Sequence, residues 1–195
     1  MLRDKLKHHH IILASGSPRR QQFFKDLDID FEIRLKEIEE IYPPHLEASA
    51  ITDFLAELKA NAFEGTLHLN DILITSDTIV WHQGRALGKP KDFQDAFQML
   101  ESLSGCTHDV ITSVCFKTID STIVINELTK VTFNYLSSEA INYYIKNFNP
   151  YDKAGAYGIQ EWIGSIGVAK IEGSYANVMG LPVDKVFEYL SNFST

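Results

Sequence analysis

Apolar residues along this chain change their spacing repeatedly, from unbroken runs to strict alternation to a spacing of three and four, which predicts strands alternating with helices. The run at 11–14 (IILA) predicts a buried strand. Ser15, Gly16 and Ser17 then turn the chain, and Pro18, its φ already near a helical value, suits the first position of a helix capped by Ser17. Phe23, Phe24 and Leu27 share one face of that helix. Phe31, Ile33 and Leu35 alternate with Glu32 and Arg34, a half-buried strand that leads into the acidic cluster Glu37, Glu39 and Glu40. Beyond the break at Pro43 and Pro44, residues 48–63 predict a helix with the stripe Ile51, Leu55, Leu58 and Ala62, bordered by Lys59. The run at 72–81 (ILITSDTIVW) predicts a strand interrupted by Ser76, Asp77 and Thr78. A turn at Gln83 and Gly84 returns it through 85–87, and pairing about that turn is expected to bring Asp77 close to Gly88, Lys89 and Pro90.

The second half follows the same grammar. Asp92 can cap a helix buried through Phe93, Ala96, Phe97, Leu100 and Leu103 and ended by Gly105. Residues 110–116 and 122–136, rich in β-branched and aromatic side chains, predict a long antiparallel pair turning at Asp120 and Ser121. Ser138 is expected to cap a helix whose inward face is Ile141, Tyr144, Ile145 and Phe148, stopped by Asn149 and Pro150. The loop at 151–160 (YDKAGAYGIQ) combines two glycines with Asp152, Lys153 and Gln160, a composition suited to close backbone approach and polar recognition. Residues 163–171 predict another strand and 173–180 a loop. Leu181, Pro182 and Val183 open a last helix with Val186, Phe187 and Leu190 inward. The order argues an α/β fold with a mixed sheet. Without repeats, low-complexity blocks or a linker, residues 1–195 read as a single domain.

Composition narrows the function. A chain of 195 residues can bury a substantial core without disulfides, and Cys106 and Cys115 lack metal-ligand spacing, so both read as small semi-buried residues in a reducing compartment. The charged segment after Met1 has no apolar stretch, and no later run approaches the ~20 apolar residues of a membrane span. A soluble cytoplasmic protein is the expectation. A net charge of −8 argues against nucleic acid or an anionic membrane as partner. His8, His9 and His10, being adjacent, do not face one way and read as structural.

An acidic protein that binds an anion needs local cations. Arg19 and Arg20 in the first turn of a helix oppose its dipole unless a negative ligand sits there; the alternative is a solvated pair on a surface turn. Asp77 beside Lys89 is either a modest cross-strand ion pair or an acid and a phosphate-binding lysine in one cleft, and the interruption of an apolar strand by a carboxylate favours the second. Taken alone, Lys59 at the border of its stripe is expected to snorkel to solvent along its neighbours instead of touching a ligand.

Taken in order, LASGSPRR (13–20), IEE (38–40), the Lys59 helix, SDTIV (76–80), GKP (88–90), LSG with His108 soon after, DKAGAYGIQ (152–160) and NVMGLP (177–182) resemble the Maf family of nucleoside triphosphate pyrophosphatases over nearly the whole chain. The resemblance implies a two-lobed α/β architecture like that of the inosine triphosphate pyrophosphatases, with a mixed, twisted sheet flanked by helices and a deep cleft, and a possible homodimer. It also implies release of pyrophosphate from a nucleoside triphosphate. Arg19, Thr78 and Gln160 stand where the branch similar to dTTP/UTP pyrophosphatases carries Arg, Thr and Gln, and a Gln amide can both donate to a carbonyl and accept from a ring N–H on the imide edge shared by thymine and uracil.

On that resemblance Asp77 is the proton acceptor, and Ser15, Arg19, Arg20, Lys59 and Lys89 bind the substrate. Glu40 and Asp77 hold a divalent cation, Mg²⁺ or Mn²⁺, with Glu39 an alternative to Glu40. The implied substrates are dTTP and UTP, or modified pyrimidine nucleotides. Rival expectations are a purine or 7-methyl-GTP pyrophosphatase and a non-catalytic nucleotide-binding regulator of cell division. The second has no need of an activating carboxylate.

Overall fold

Seven strands form one mixed sheet in the computed structural model, which describes residues 1–193. The helices are α1 (Leu2–Lys5), α2 (Pro18–Asp26), α3 (Ser49–Asn61), α4 (Phe93–Leu103), α5 (Ser138–Phe148), α6 (Trp162–Gly167), α7 (Tyr175–Val178) and α8 (Val183–Asn192). The strands are β1 (His10–Leu13), β2 (Phe31–Ile33), β3 (Asp71–His82), β4 (Arg85–Leu87), β5 (Thr107–Lys117), β6 (Thr122–Phe133) and β7 (Val168–Glu172). Their order is β2-β1-β3-β5-β6-β7, with β4 on β3. β1 is parallel to both β2 and β3, whereas the β3–β4 and β6–β7 pairs are antiparallel. Among the described residues no helix is long and apolar enough to cross a membrane.

The chain divides into two compact units. The first comprises Met1–Asp77, Thr112–Glu127 and the chain from Gly180 on. Side chains of successive strand residues point to opposite faces, so Ile72 and Ile74 join Leu13, Phe24, Leu181 and Leu190 in one apolar layer. Ile12, Leu73 and Cys115 form the other layer, against Ala56, Ala60 and Phe63. Ile51 and Leu55 of the predicted stripe are buried, but the second half of the buried face runs through Ala56 and Ala60 instead of Leu58 and Ala62. Ala56 and Ala60 are fully buried and Leu58 and Ala62 only partly, because the small side chains let the helix approach the sheet closely. In α8, Val186 and Leu190 point inward, but Phe187, expected there, is 46% exposed.

The second unit comprises Thr78–Ile111 and Leu128–Met179, built on a core that includes Val80, Leu100, Phe133, Tyr144, Tyr157 and Ile163. The β3–β4 hairpin turns at Gln83 and Gly84, whose φ values of 50° and 72° are the pair of left-handed conformations that suit the twist of two short strands. Asp92 caps α4, accepting from the Asp95 amide at 2.8 Å. At α5 the cap is Ser137, not Ser138: its Oγ accepts from the Ala140 amide at 3.2 Å, and Ser138 is already helical. The strand expected over 163–171 is a helix, α6, followed by the shorter β7. Ile163 and Ile166 are a helical step apart, and a Cβ at Gly164 would lie 1.8 Å from the Ile159 carbonyl oxygen. β6 ends at Phe133, and α7 interrupts the expected loop with Ser174 as its cap.

Candidate active site

In the first unit, Asp77 lies one and two alternations beyond Thr75 and Leu73 on the face of β3 that packs against α3. Thr75 Oγ1 donates to the Ala56 carbonyl at 2.6 Å and ties strand to helix. Lys59, between the buried Ala56 and Ala60, therefore faces the strand instead of the solvent, its side chain only 16% exposed. Its Nζ donates to Asp77 Oδ1 at 2.6 Å and pairs with Glu40 Oε1 at 3.0 Å. Lys59 is thus the ion-pair partner of Asp77, in place of the cross-strand Lys89 that the hairpin suggested. The β3–β4 ladder ends at Val80–Leu87, short of Asp77. Of the two neighbouring acids, both exposed, Glu40 is the one paired with Lys59.

The turn into α2 is held from within. Ser15 is buried; its Oγ accepts from the Ser17 amide at 3.3 Å and its carbonyl from Gln21 Nε2 at 3.1 Å. Ser17 has the extended backbone of a cap residue, but its hydroxyl does not bond the helix amides. Arg20 reaches across the unit, Nε donating to the Gly180 carbonyl at 2.8 Å and Nη1 to the Ser76 carbonyl at 3.0 Å. It thus joins the 13–20, 76–80 and 177–182 motifs at one place. Burial lowers its pKa to about 10 against the opposing charge of Asp77, so it remains a cation at neutral pH. Arg19, partly buried, adds a like charge beside it.

The second unit carries Thr78, Lys89 and Gln160. Thr78, partly buried, alternates away from the face of Asp77 along β3; Lys89 follows β4 and is exposed. The Gly155 amide donates to the Gly88 carbonyl at 3.0 Å, which fastens the loop ending in Gln160 to the one bearing Lys89. Gly155 and Ala156 hold φ of 66° and 60° in succession. Gln160 is exposed, yet its neighbours are not. Lys153, 7% exposed, pairs with Asp152 Oδ1 at 2.6 Å and Glu161 Oε1 at 3.1 Å, and the buried Tyr144 hydroxyl donates to Glu161 Oε2 while accepting from the Gly158 amide at 3.0 Å. Tyr144 belongs to the core, as its place on the inward face of α5 predicts, but its polar network has no counterpart in the apolar pattern. The available signal was a phenol on an apolar helix face, which needs a polar partner when buried.

Among the described residues no group of three or more His, Cys, Asp or Glu is arranged to hold a metal ion. Asp77 and Glu40 bring hard oxygen donors together at Lys59.

The family model described as Maf-like protein matches residues 10–193. The chain is 70% identical over 191 residues to the dTTP/UTP pyrophosphatase of Flavobacterium johnsoniae, with 98% of each covered. It is 64% identical over 192 residues to the dTTP/UTP pyrophosphatase of Flavobacterium psychrophilum, again with 98% of each covered. Among solved structures, the Staphylococcus aureus Ham1 protein aligns over 64% of this chain and 71% of its own at a TM-score of 0.43 and 16% identity.

Proposed function

The chain belongs to the Maf-like protein family, and from that premise we propose that it hydrolyses dTTP and UTP to the monophosphate and pyrophosphate. The observation that carries this reading is the 70% identity, over 98% of both chains, to a relative named dTTP/UTP pyrophosphatase. The arrangement of Asp77, Lys59 and Glu40 supports it.

In this reading Asp77 accepts the proton of the attacking water. It interrupts the middle of a largely apolar strand, its carboxylate aimed by Lys59. Lys59, Arg19, Arg20 and Lys89 offset the charge of the triphosphate, with Ser15 contributing from the turn before α2. Arg20, already fixed by two backbone carbonyls, presents its charge without further ordering. Asp77 and Glu40 suit Mg²⁺ or Mn²⁺, since both are carboxylates and hard cations take oxygen ligands. When bound, such a cation polarises a phosphoryl oxygen and lowers the pKa of coordinated water. Gln160 reads the base through its amide, donating to O4 and accepting from N3–H, with Arg19 and Thr78 as the other selectivity positions.

The test is pyrophosphate release by the purified protein with Mg²⁺ on dTTP, UTP, CTP, GTP, ITP and 7-methyl-GTP. The expected result is equimolar pyrophosphate and monophosphate with the highest kcat/KM on dTTP and UTP. Release of orthophosphate instead, or a preference for a purine nucleotide, would overturn the reading.

A further inference from the structure

Gln160 is exposed on a loop, and an exposed amide on a mobile loop discriminates poorly between bases that differ by one donor and one acceptor. The surroundings of this one are unusually fixed. Residues 153–159 are buried or nearly so, although they include a lysine and two glycines. Lys153 and Glu161 bracket the loop and pair with each other at 3.1 Å. Tyr144, with no exposed surface, reaches from α5 to both Glu161 and the Gly158 amide. The space inside this bracket is full. A Cβ on Gly158 would lie 2.8 Å from Glu161 Cδ and 3.0 Å from Lys153 Cε, so the loop backbone packs directly on the ion pair. Gln160 is held on both sides, by Gly158 before it and Glu161 after it.

We propose that Tyr144, Glu161 and Lys153 form a buried brace that fixes residues 158–161 and thereby sets the position from which Gln160 reads the base. Tyr144 and Glu161 are then positioning residues for base selectivity, acting through Gln160. The inference rests on the proposed reading of dTTP and UTP. Burial and the Glu161 hydrogen bond both raise the Tyr144 pKa, so its proton stays in place over the working pH range and the brace does not open by ionisation. A free loop would have left Lys153 solvated, as lysines normally are.

The experiment compares wild type, Tyr144→Phe, Glu161→Gln, Gln160→Glu and the double variant Tyr144→Phe/Gln160→Glu, reading kcat and KM by pyrophosphate release on dTTP, UTP and CTP. Tyr144→Phe keeps the ring and its stack on Phe148 while removing the hydroxyl. Its preference for dTTP over CTP is expected to fall about five- to tenfold, mostly through KM for dTTP. In the Gln160→Glu background the same change should remove no further preference, since the brace acts through that residue. Glu161→Gln, which keeps an acceptor for Tyr144 and Lys153, should retain most of it.

Selectivity unchanged in a folded Tyr144→Phe, or an equal loss for every nucleotide, overturns the brace. If Tyr144→Phe does not fold, Glu161→Ala carries the same comparison, because that side chain is 20% exposed. Failure of the underlying reading would show separately, as absence of pyrophosphate release by the wild type. The brace is then read without activity, by hydrogen exchange at the Gly158 amide, expected to be about tenfold faster in Tyr144→Phe. Equal exchange overturns it.

Discussion

Replacing Gly155 by alanine tests whether the loop that presents Gln160 is packed as tightly as described. Two costs meet at this residue. Its φ of +66° places a side chain in the left-handed region, which costs an L-residue about 1–2 kcal/mol. The new Cβ would also lie 2.7 Å from Val80 Cγ2 and 3.0 Å from Val80 Cβ. Val80 is a stiff, β-branched, buried residue on β3 and cannot swing away, so overpacking adds about 1–3 kcal/mol. The reduced freedom of the unfolded chain returns about 0.4–1 kcal/mol. The sum is a destabilisation of about 2–4 kcal/mol.

Gly84 supplies the control, with φ +72° and nothing within 4 Å of a built Cβ, so Gly84→Ala incurs the backbone term alone, about 1 kcal/mol after the same unfolded-state correction. Both tryptophans, Trp81 and Trp162, lie in the second unit, so urea unfolding followed by tryptophan fluorescence reports that unit directly. Gly155→Ala should exceed Gly84→Ala by about 1–3 kcal/mol. Equal effects would refute the close packing of the 153–160 loop on Val80, and with it the account of how Gln160 is held.

Three further outcomes are expected. Asp77→Asn should abolish pyrophosphate release while leaving nucleotide binding measurable by calorimetry, because shape is kept and the proton acceptor lost; undiminished turnover would refute the assignment. Ser137→Ala should cost about 1 kcal/mol in a urea melt and Ser138→Ala close to nothing, the reverse of what a Ser138 cap would give. Burial lowers the His108 pKa to about 3 from an ordinary 6.5, with the nearby His82 acting in the same direction. The unfolded chain therefore binds the proton first, so stability is full above pH 6.5 and falls as pH drops towards 3. The loss is about 2 kcal/mol by pH 5 and should shrink in His108→Phe relative to wild type.

The β1–turn–α2 stretch was readable because each step has a local cause: an apolar run, a Ser-Gly-Ser turn and a proline whose ring suits the first helical residue. The candidate acid was readable for a similar reason, as a carboxylate breaking an apolar strand. Its partner was not. A hairpin is the nearest source of a cation in sequence, whereas Lys59 reaches Asp77 only after α3 has packed on the sheet, a contact that depends on Ala56 and Ala60. The α3 stripe is right at Ile51 and Leu55 and misses the small Ala56 and Ala60, which carry too little apolar surface to stand out in sequence. Ile163 and Ile166 of α6 and Val168 at the start of β7 together have strand-like composition, and the close approach of Gly164 to the Ile159 backbone and of Gly167 to Leu136 is a packing constraint that composition does not register. Two adjacent serines before α5 offer two caps, and only the backbone geometry selects Ser137. The proposed selectivity positions Thr78 and Gln160 come from family resemblance alone, since nothing in the spacing of an exposed glutamine marks it as a reader of bases.

The lysine lodged between Asp77 and Glu40 has a consequence for how the protein comes into being. Two acidic groups brought together usually repel until a cation arrives from solution, and a nascent chain built that way would depend on the ionic supply of its surroundings to reach its native form. Here the counter-ion is encoded in α3 and arrives with the helix. The carboxylates can therefore be assembled by folding itself, and a chelator in the refolding buffer should leave the yield of native protein unchanged.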